Sequence, residues 1–279
     1  MKVLILGATG LLGKALVREW RGDEVLGMGS HDVDIRDATR VQQVVRHSSP
    51  EWVVLAAAYT DVDGCESHPD LAFAVNRDGA VNVGEAARQC GARLVFLSSD
   101  YVFDGQKTSP YEVDDRRNPQ SVYGRSKAEA ETKLLETVPD CSIARTSWVF
   151  GVGGKCFPDT ILRAAMNRST LDVVNDQRGC PTYTVDLART IIQLCRKHVR
   201  GIVHVTNSGD CSWFEFAQAI LTRAGFTTEV RPASSQQMAR PAPRPAYSVL
   251  SATTLGHYGI EMPGWKDALS RYLEERKSW

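Results

Sequence analysis

The chain has 279 residues, 43% of them hydrophobic, enough for one large α/β domain or a core domain with a smaller lobe. Its 33 basic and 33 acidic side chains cancel without any long run of one sign, which argues against nucleic acid as a partner, because phosphate binding leaves a basic patch. Seven scattered cysteines with no Cys-x-x-Cys spacing argue against a disulfide framework or a zinc site and read as thiols of a reducing cytosol.

Met1-Lys2 runs without a signal-peptide pattern into an unbroken apolar stretch, residues 3–6, as expected of a strand buried on both faces of a parallel sheet. Gly7-Ala8-Thr9-Gly10-Leu11-Leu12-Gly13 follows, and residues 14–20 then show helical apolar spacing. Strand, glycine loop and helix together form the context in which amides at a helix N-terminus receive a dinucleotide pyrophosphate. Gly7, Thr9, Gly10, Leu11, Leu12 and Gly13 are the expected contacts, although glycines serving only a tight turn would read the same way. Residues 25–28 make a second strand, and Ser30 and His31 occupy the corner where a chain selective for NAD usually has an acid. That favours NADPH over NADH. Asp34 and Ile35 are placed to flank an adenine, an ordinary capping turn being the other reading, and Asp37 is a candidate N-cap for a helix over residues 38–47.

A third strand, residues 52–55, leads into Ala56, Ala57, Ala58 and Thr60, small side chains that let a ligand lie close to the backbone. Residues 71–90 have helical periodicity and carry Asn76. The fourth strand, residues 94–97, exits through Ser98 and Ser99. Ligands of open parallel sheets bind beyond such strand ends, so the Ser99 hydroxyl is a candidate partner for a substrate carbonyl; hydroxyls there also commonly cap turns. After a loop over residues 107–120 come Tyr123 and Lys127, four positions apart and so on one helix face. A phenol with a pKa near ~10 seldom exchanges protons at neutral pH, and a fixed cation beside it would lower that value.

A strand at 142–145 completes the βα alternation of a doubly wound sheet. Beyond it the rhythm changes: a helix over 157–167, a strand over 171–175, a turn-rich connection over 177–182, a helix over 185–197 and a strand over 201–206. An amphipathic helix over 213–224, a proline-rich loop over 232–245 and a closing helix over 265–275 follow. The expected organisation is a Rossmann-type α/β domain over residues 1–147, to which a segment of about 184–207 returns, with a smaller substrate-binding lobe over 148–279. No apolar stretch approaches the ~20 residues that span a bilayer, so a soluble, cytoplasmic protein without membrane partners is expected.

The glycine loop, Ser98-Ser99-Asp100-Tyr101-Val102-Phe103, the Tyr123/Lys127 pair, residues 145–151 around Trp148, Asp176-Gln177-Arg178-Gly179-Cys180-Pro181-Thr182 and residues 244–250 occur in order. Together they resemble an extended short-chain dehydrogenase/reductase, and within that group the dTDP-4-dehydrorhamnose reductase family. The resemblance implies reduction, by NADPH or NADH, of the C4 ketone of a 4-keto-6-deoxy sugar carried on dTDP. Tyr123 would be the general acid. Lys127 would lower its pKa and bind the nicotinamide ribose, and Ser99 would hold the carbonyl oxygen. Asn76 and Ser98 would lie along the cofactor, and Asp100, Tyr101, Val102, Phe103, Trp148, Phe150, Gln177, Gly179, Pro181 and Thr182 along the sugar nucleotide. Some relatives dimerise around magnesium through a glutamate early in the first helix; Lys14-Ala15-Leu16 stands there, so no such metal is expected and a homodimer is left open. Tyr247 stands where the family usually has asparagine. A sugar-nucleotide dehydratase would need glutamate where Tyr101 stands. An epimerase, or a non-catalytic regulatory protein like the β subunit of methionine adenosyltransferase, are the other readings of this scaffold.

Overall fold

The apolar runs form the strands that the pattern demands. In the computed structural model, which describes residues 1–278, the first half alternates strands β1 (Lys2–Leu6), β2 (Glu24–Met28), β3 (Trp52–Leu55), β4 (Arg93–Ser99) and β5 (Ser142–Thr146) with helices. These helices are α1 (Leu11–Glu19), α2 (Ala38–Ser48), α3 (Val62–Ser67), α4 (Pro69–Phe73), α5 (Gly79–Gln89) and α6 (Val122–Thr137). The second half contains β6 (Val149–Phe150), α7 (Phe157–Ala165), β7 (Thr170–Val174), β8 (Arg178–Gly179), β9 (Thr182–Tyr183), α8 (Thr184–Arg196) and β10 (Gly201–His204). It ends with β11 (Cys211–Ser212), α9 (Trp213–Ala224), β12 (Glu229–Ala233), α10 (Thr253–His257) and α11 (Trp265–Arg276).

Six strands pair in parallel in the order β10-β5-β4-β3-β1-β2, a doubly wound α/β sheet of Rossmann type. Because side chains alternate along a strand, Val3 and Ile5 of β1 face α1 and α8, meeting Leu16, Leu187 and Ile191. Leu4 and Leu6 face the other way, into the layer of α2, α5 and α6 around Val41, Val83 and Leu134. The strand order reverses between β1 and β3, so the loops leaving their carboxyl ends diverge and open a crevice. A separate aromatic core, Phe150, Tyr183, Phe216, Trp265 and Tyr272, holds the second half together.

Four local readings change. The connection over 177–182 contains β8 and β9, which pair with β11 and β6. The proline-rich loop begins after Ala233, since Pro232 lies in β12 beside β7, at an edge where proline is tolerated. Helix α3, capped by Asp61 accepting from the Gly64 amide, has too few apolar positions to show a period. The helix over 71–90 is interrupted by one π-helical turn, Ala74–Asp78, built around Asn76. Residues 244–250 form a strap: the Arg178 amide donates to the Ala246 carbonyl, the Ser248 amide to the Arg178 carbonyl, and the Tyr111 amide to the Val249 carbonyl, each at 2.8 Å.

Candidate active site

Gly7 ends β1 at φ +92°, and a Cβ there would lie 2.4 Å from the amide nitrogen of Ala57 in the loop after β3. A Cβ on Gly13 would lie 2.0 Å from the Gly7 carbonyl oxygen. These glycines let α1 start directly beneath the loop, and the loop itself lines a cavity of about 490 Å³. Gly7, Thr9 and Gly10 line it together with Ala56, Ala57 and Ala58 and with Ser30, His31, Asp34 and Ile35. The size and the helix N-terminus fit a dinucleotide. Gly13→Ala is expected to leave the sheet folded but weaken NADPH binding at least tenfold, because the clash is with backbone and the loop must move; fluorescence titration measures this.

Not every expected contact is at this cavity. Leu12 packs into the core on the α1 face and Leu11 against the aromatic core, while Thr60 is exposed outside the lining. Asn76 is 1% exposed and fully engaged: its Nδ2 donates to the Tyr59 carbonyl and to Ser126 Oγ, both at 3.0 Å, and its Oδ1 accepts from the Tyr59 amide at 2.8 Å. It braces the loop after β3 against α6. Ser98 is likewise buried, donating to Glu131 Oε1 at 2.5 Å. In the other direction, Arg36 joins the cavity lining, held by both oxygens of Asp34.

Ser99, at the end of β4, meets Tyr123 on α6, and Lys127 follows on the same helix with its Nζ over Phe96 of β4. Ser121 caps α6, its Oγ accepting from the Gly124 amide at 3.1 Å, which sets Tyr123 and Lys127 one turn apart. A side chain on Gly124 would meet the Tyr101 carbonyl oxygen at 2.2 Å, so glycine lets α6 close onto the turn after β4. The rings of Tyr101 and Tyr123 meet edge to face, centroids 5.6 Å apart at 79°. Ser99 takes the capping part: it caps the single 3₁₀ turn Asp100–Val102, accepting from the Tyr101 amide at 3.2 Å, while its hydroxyl donates to Asp100 Oδ1 at 2.9 Å.

The electrostatics correct the simple cation-and-phenol picture. Burial pushes the Tyr123 phenol above its ordinary range, only partly countered by the Ser99 hydroxyl. Burial also pulls Lys127 down from 10.5 to about 7, against the upward pull of Glu131, and its Nζ sits 4.1 Å over the Phe96 ring. In the ligand-free protein the tyrosine is therefore held protonated, which is the form a proton donor needs. Holding a charged lysine here costs stability, fully below pH about 7 and progressively less as the pH climbs toward 10.5, where the unfolded chain also loses the proton. Lys127→Met is expected to raise the melting temperature of the cofactor-free protein by about 5–10 °C at pH 6 and by less at pH 9. No gain at pH 6 would contradict this account.

A second cavity, about 670 Å³, opens beside Tyr101 and runs between α7, β7 and residues 235–244, with Gln177, Phe157 and Trp213 in its wall. Of the expected substrate contacts, Tyr101 and Gln177 line it. Val102, Phe103, Phe150 and Thr182 do not, being at most 1% exposed and packed in the cores. Pro181 is buried as well, and Gly179 lies under Trp148, whose ring would be 2.6 Å from a Cβ placed there. Trp148 adopts φ +47°, uncommon for a bulky residue, and stacks flat on Trp213 at 3.5 Å and 5°, so it backs the cavity wall through its neighbour. Asp100 sits behind Ser99, 2% exposed, with Oδ2 unpartnered, and burial raises its pKa to about 6.

Comparison with known proteins places this arrangement. The family model described as the RmlD substrate binding domain matches residues 1–278. The chain is 43% identical to the spore coat polysaccharide biosynthesis protein SpsK of Bacillus subtilis, over 99% of this chain and 98% of that one. It is 39% identical to the dTDP-4-dehydrorhamnose reductase of Mycobacterium tuberculosis, over 98% and 92% respectively. The chain belongs to the dTDP-4-dehydrorhamnose reductase family. A crystal structure of the Bacillus anthracis dTDP-4-dehydrorhamnose reductase in complex with NADP superposes with a TM-score of 0.96 at 38% identity, covering 99% of this chain and all of that one.

This member of the reductase family carries site features that were not singled out in sequence. Arg36, two positions after Asp34, pairs with it in the lining of the dinucleotide cavity. Arg240 and Arg244 stand among prolines and read as a loop, yet they form cavity wall. Glu131 was legible in principle, lying four positions after Lys127 on the same face of α6.

Proposed function

We propose that this chain reduces the C4 ketone of a dTDP-linked 4-keto-6-deoxy sugar, with NADPH, or NADH, as reductant. The observation that carries the reading is the approach of Ser99 to Tyr123, one turn before Lys127 on α6, in a chain of this family that also holds a dinucleotide-sized crevice and a second, larger cavity beside Tyr101. The names of the Mycobacterium tuberculosis and Bacillus anthracis relatives support the reaction, and the NADP in the latter's crystal supports the cofactor.

When bound, the nicotinamide supplies the hydride. The remaining chemistry belongs to the chain. Tyr123, kept protonated by burial, donates its proton to the oxygen that becomes an alkoxide at C4. Ser99, at the end of β4, steadies that oxygen as charge develops, its hydroxyl turning from Asp100 to do so. Lys127, protonated when the anionic cofactor is in place, holds the ribose and biases the tyrosine toward proton release. The glycine loop and the 56–58 loop hold the dinucleotide, residues 1–147 together with about 184–207 forming that half, and residues 148–279 supply the sugar-nucleotide side. The seven unpaired cysteines suit a cytoplasmic setting. Among the described residues no helix is long and apolar enough to cross a membrane. The decisive assay follows NADPH and NADH consumption with dTDP-4-keto-6-deoxy sugars; turnover of neither cofactor with any such sugar would remove the proposal.

A further inference from the structure

Two arginines in the wall of the larger cavity reach back to one carboxylate on the other half of the molecule. Asp63, on α3, accepts from Arg244 Nη1 on Oδ1 and from Arg244 Nη2 on Oδ2, both at 3.0 Å. The same carboxylate accepts from the Ala242 amide at 3.1 Å and from Arg240 Nη1 at 3.4 Å. One acid from the segment after β3 therefore ties residues 240–244 at three points. Paired guanidinium–carboxylate bonds fix orientation as well as distance. Asp63 itself is held in its anionic form, chiefly by the Arg244 hydrogen bonds.

The two arginines differ in what they have left to offer. The Arg244 side chain is 18% exposed and is committed to Asp63 and to the Ala242 carbonyl, 3.0 Å away. The Arg240 side chain is 61% exposed, and its single long contact to Asp63 leaves most of its N–H groups available. Arg168 lies in the same cavity wall, and Asp172 is the one acid there, so cations exceed anions. The glycine loop already provides for one pyrophosphate, in the other cavity. A nucleotide-linked sugar brings a second.

We propose that Asp63 is a positioning residue for substrate: through Arg244 it fixes residues 240–244 as cavity wall, and so presents the Arg240 guanidinium to the diphosphate of the sugar nucleotide. This rests on the reading of the larger cavity as the sugar-nucleotide site. Asp63 touches neither reacting atom nor cofactor, so its effect falls on substrate affinity.

The test titrates dTDP into the NADP-loaded protein by calorimetry and, in parallel, measures steady-state rates. Asp63→Asn is expected to weaken dTDP about tenfold and to raise KM for the nucleotide sugar by a similar factor, the size of one hydrogen bond to a charged group. The kcat and the KM for NADPH stay within about twofold, and Asp63→Glu recovers part of the loss. Arg240→Ala, exposed and harmless to folding, gives a similar loss, and the Asp63→Asn/Arg240→Ala double variant adds little to either. Unchanged dTDP affinity in Asp63→Asn overturns the proposal, as does a fall in kcat at constant KM. If the wild type reduces no nucleotide sugar but dTDP binding still responds to both substitutions, the inference stands and the assigned reaction fails.

Discussion

Tyr123→Phe is expected to lower kcat by about 10²–10⁴-fold while leaving the fold and NADPH binding unchanged. The substitution removes one oxygen and keeps the ring, and the ring is what packs: it sits edge-on to Tyr101 and against the small cluster of Cys65, Ala72 and Val122. A loss of rate cannot then be blamed on a collapsed site. The pH dependence separates the two partners of the pair. Tyr123 is pushed above its ordinary range by burial, so the donor stays loaded through neutral pH. Lys127 in the free enzyme loses its proton near pH about 7, so kcat/KM, which reports the free enzyme, should decline above that pH. The residual rate of Tyr123→Phe should keep the same alkaline limb, because the lysine is still there. A variant within tenfold of wild type would move the proton donor elsewhere, with Ser99 the nearest hydroxyl.

What could be read from the sequence is what is local. The Gly7–Gly13 loop announces itself because a backbone that must approach another backbone leaves glycine in the chain. Tyr123 and Lys127 announce themselves because a helix fixes their spacing, and β1 because a doubly buried strand has no polar alternation. The sign of the pKa shifts was not legible: a cation four residues away argues for a lowered phenol, but burial acts on both groups and depends on the packing of the whole α6 layer. Val102, Phe103 and Phe150 lie beside site residues in the chain, yet the 3₁₀ turn after β4 carries Val102 and Phe103 into one core and β6 carries Phe150 into another. The wall of the larger cavity is assembled from α7, α9 and residues 235–244, separated in sequence and brought together only by the fold. Trp148 shows the same limit, since its positive φ follows from its seat between Gly179 and Trp213 and not from any local preference.

The largest expected effect on stability comes from a pair that lies beneath the site. Arg145 on β5 donates from Nε and Nη2 to the two oxygens of Glu131 at 2.9 and 2.7 Å, and the side chains are 1% and 0% exposed. Ser98 and Arg117 also bond this carboxylate, and the Arg145 guanidinium lies 5.0 Å over the Phe103 ring, its Nη1 donating to the Val113 carbonyl at 3.1 Å. Arg145→Leu removes the principal partner of a buried charge, which costs about 3–5 kcal/mol and should lower the melting temperature by roughly 10 °C. Arg117 keeps part of the compensation, so the lower end of that range is the better expectation. Replacing both residues, Arg145→Leu with Glu131→Leu, removes the charges together and should restore most of the stability, since buried pairs seldom outperform apolar packing. Activity should not return with it. Glu131 is what pulls the Lys127 pKa upward, so without it the lysine falls below its present value of about 7 and is neutral at physiological pH. The double variant should therefore melt near wild type, and its kcat/KM should decline at lower pH than the wild type's. A double variant with the wild-type pH profile would mean that Glu131 serves the fold alone, and that the charge of Lys127 is set elsewhere.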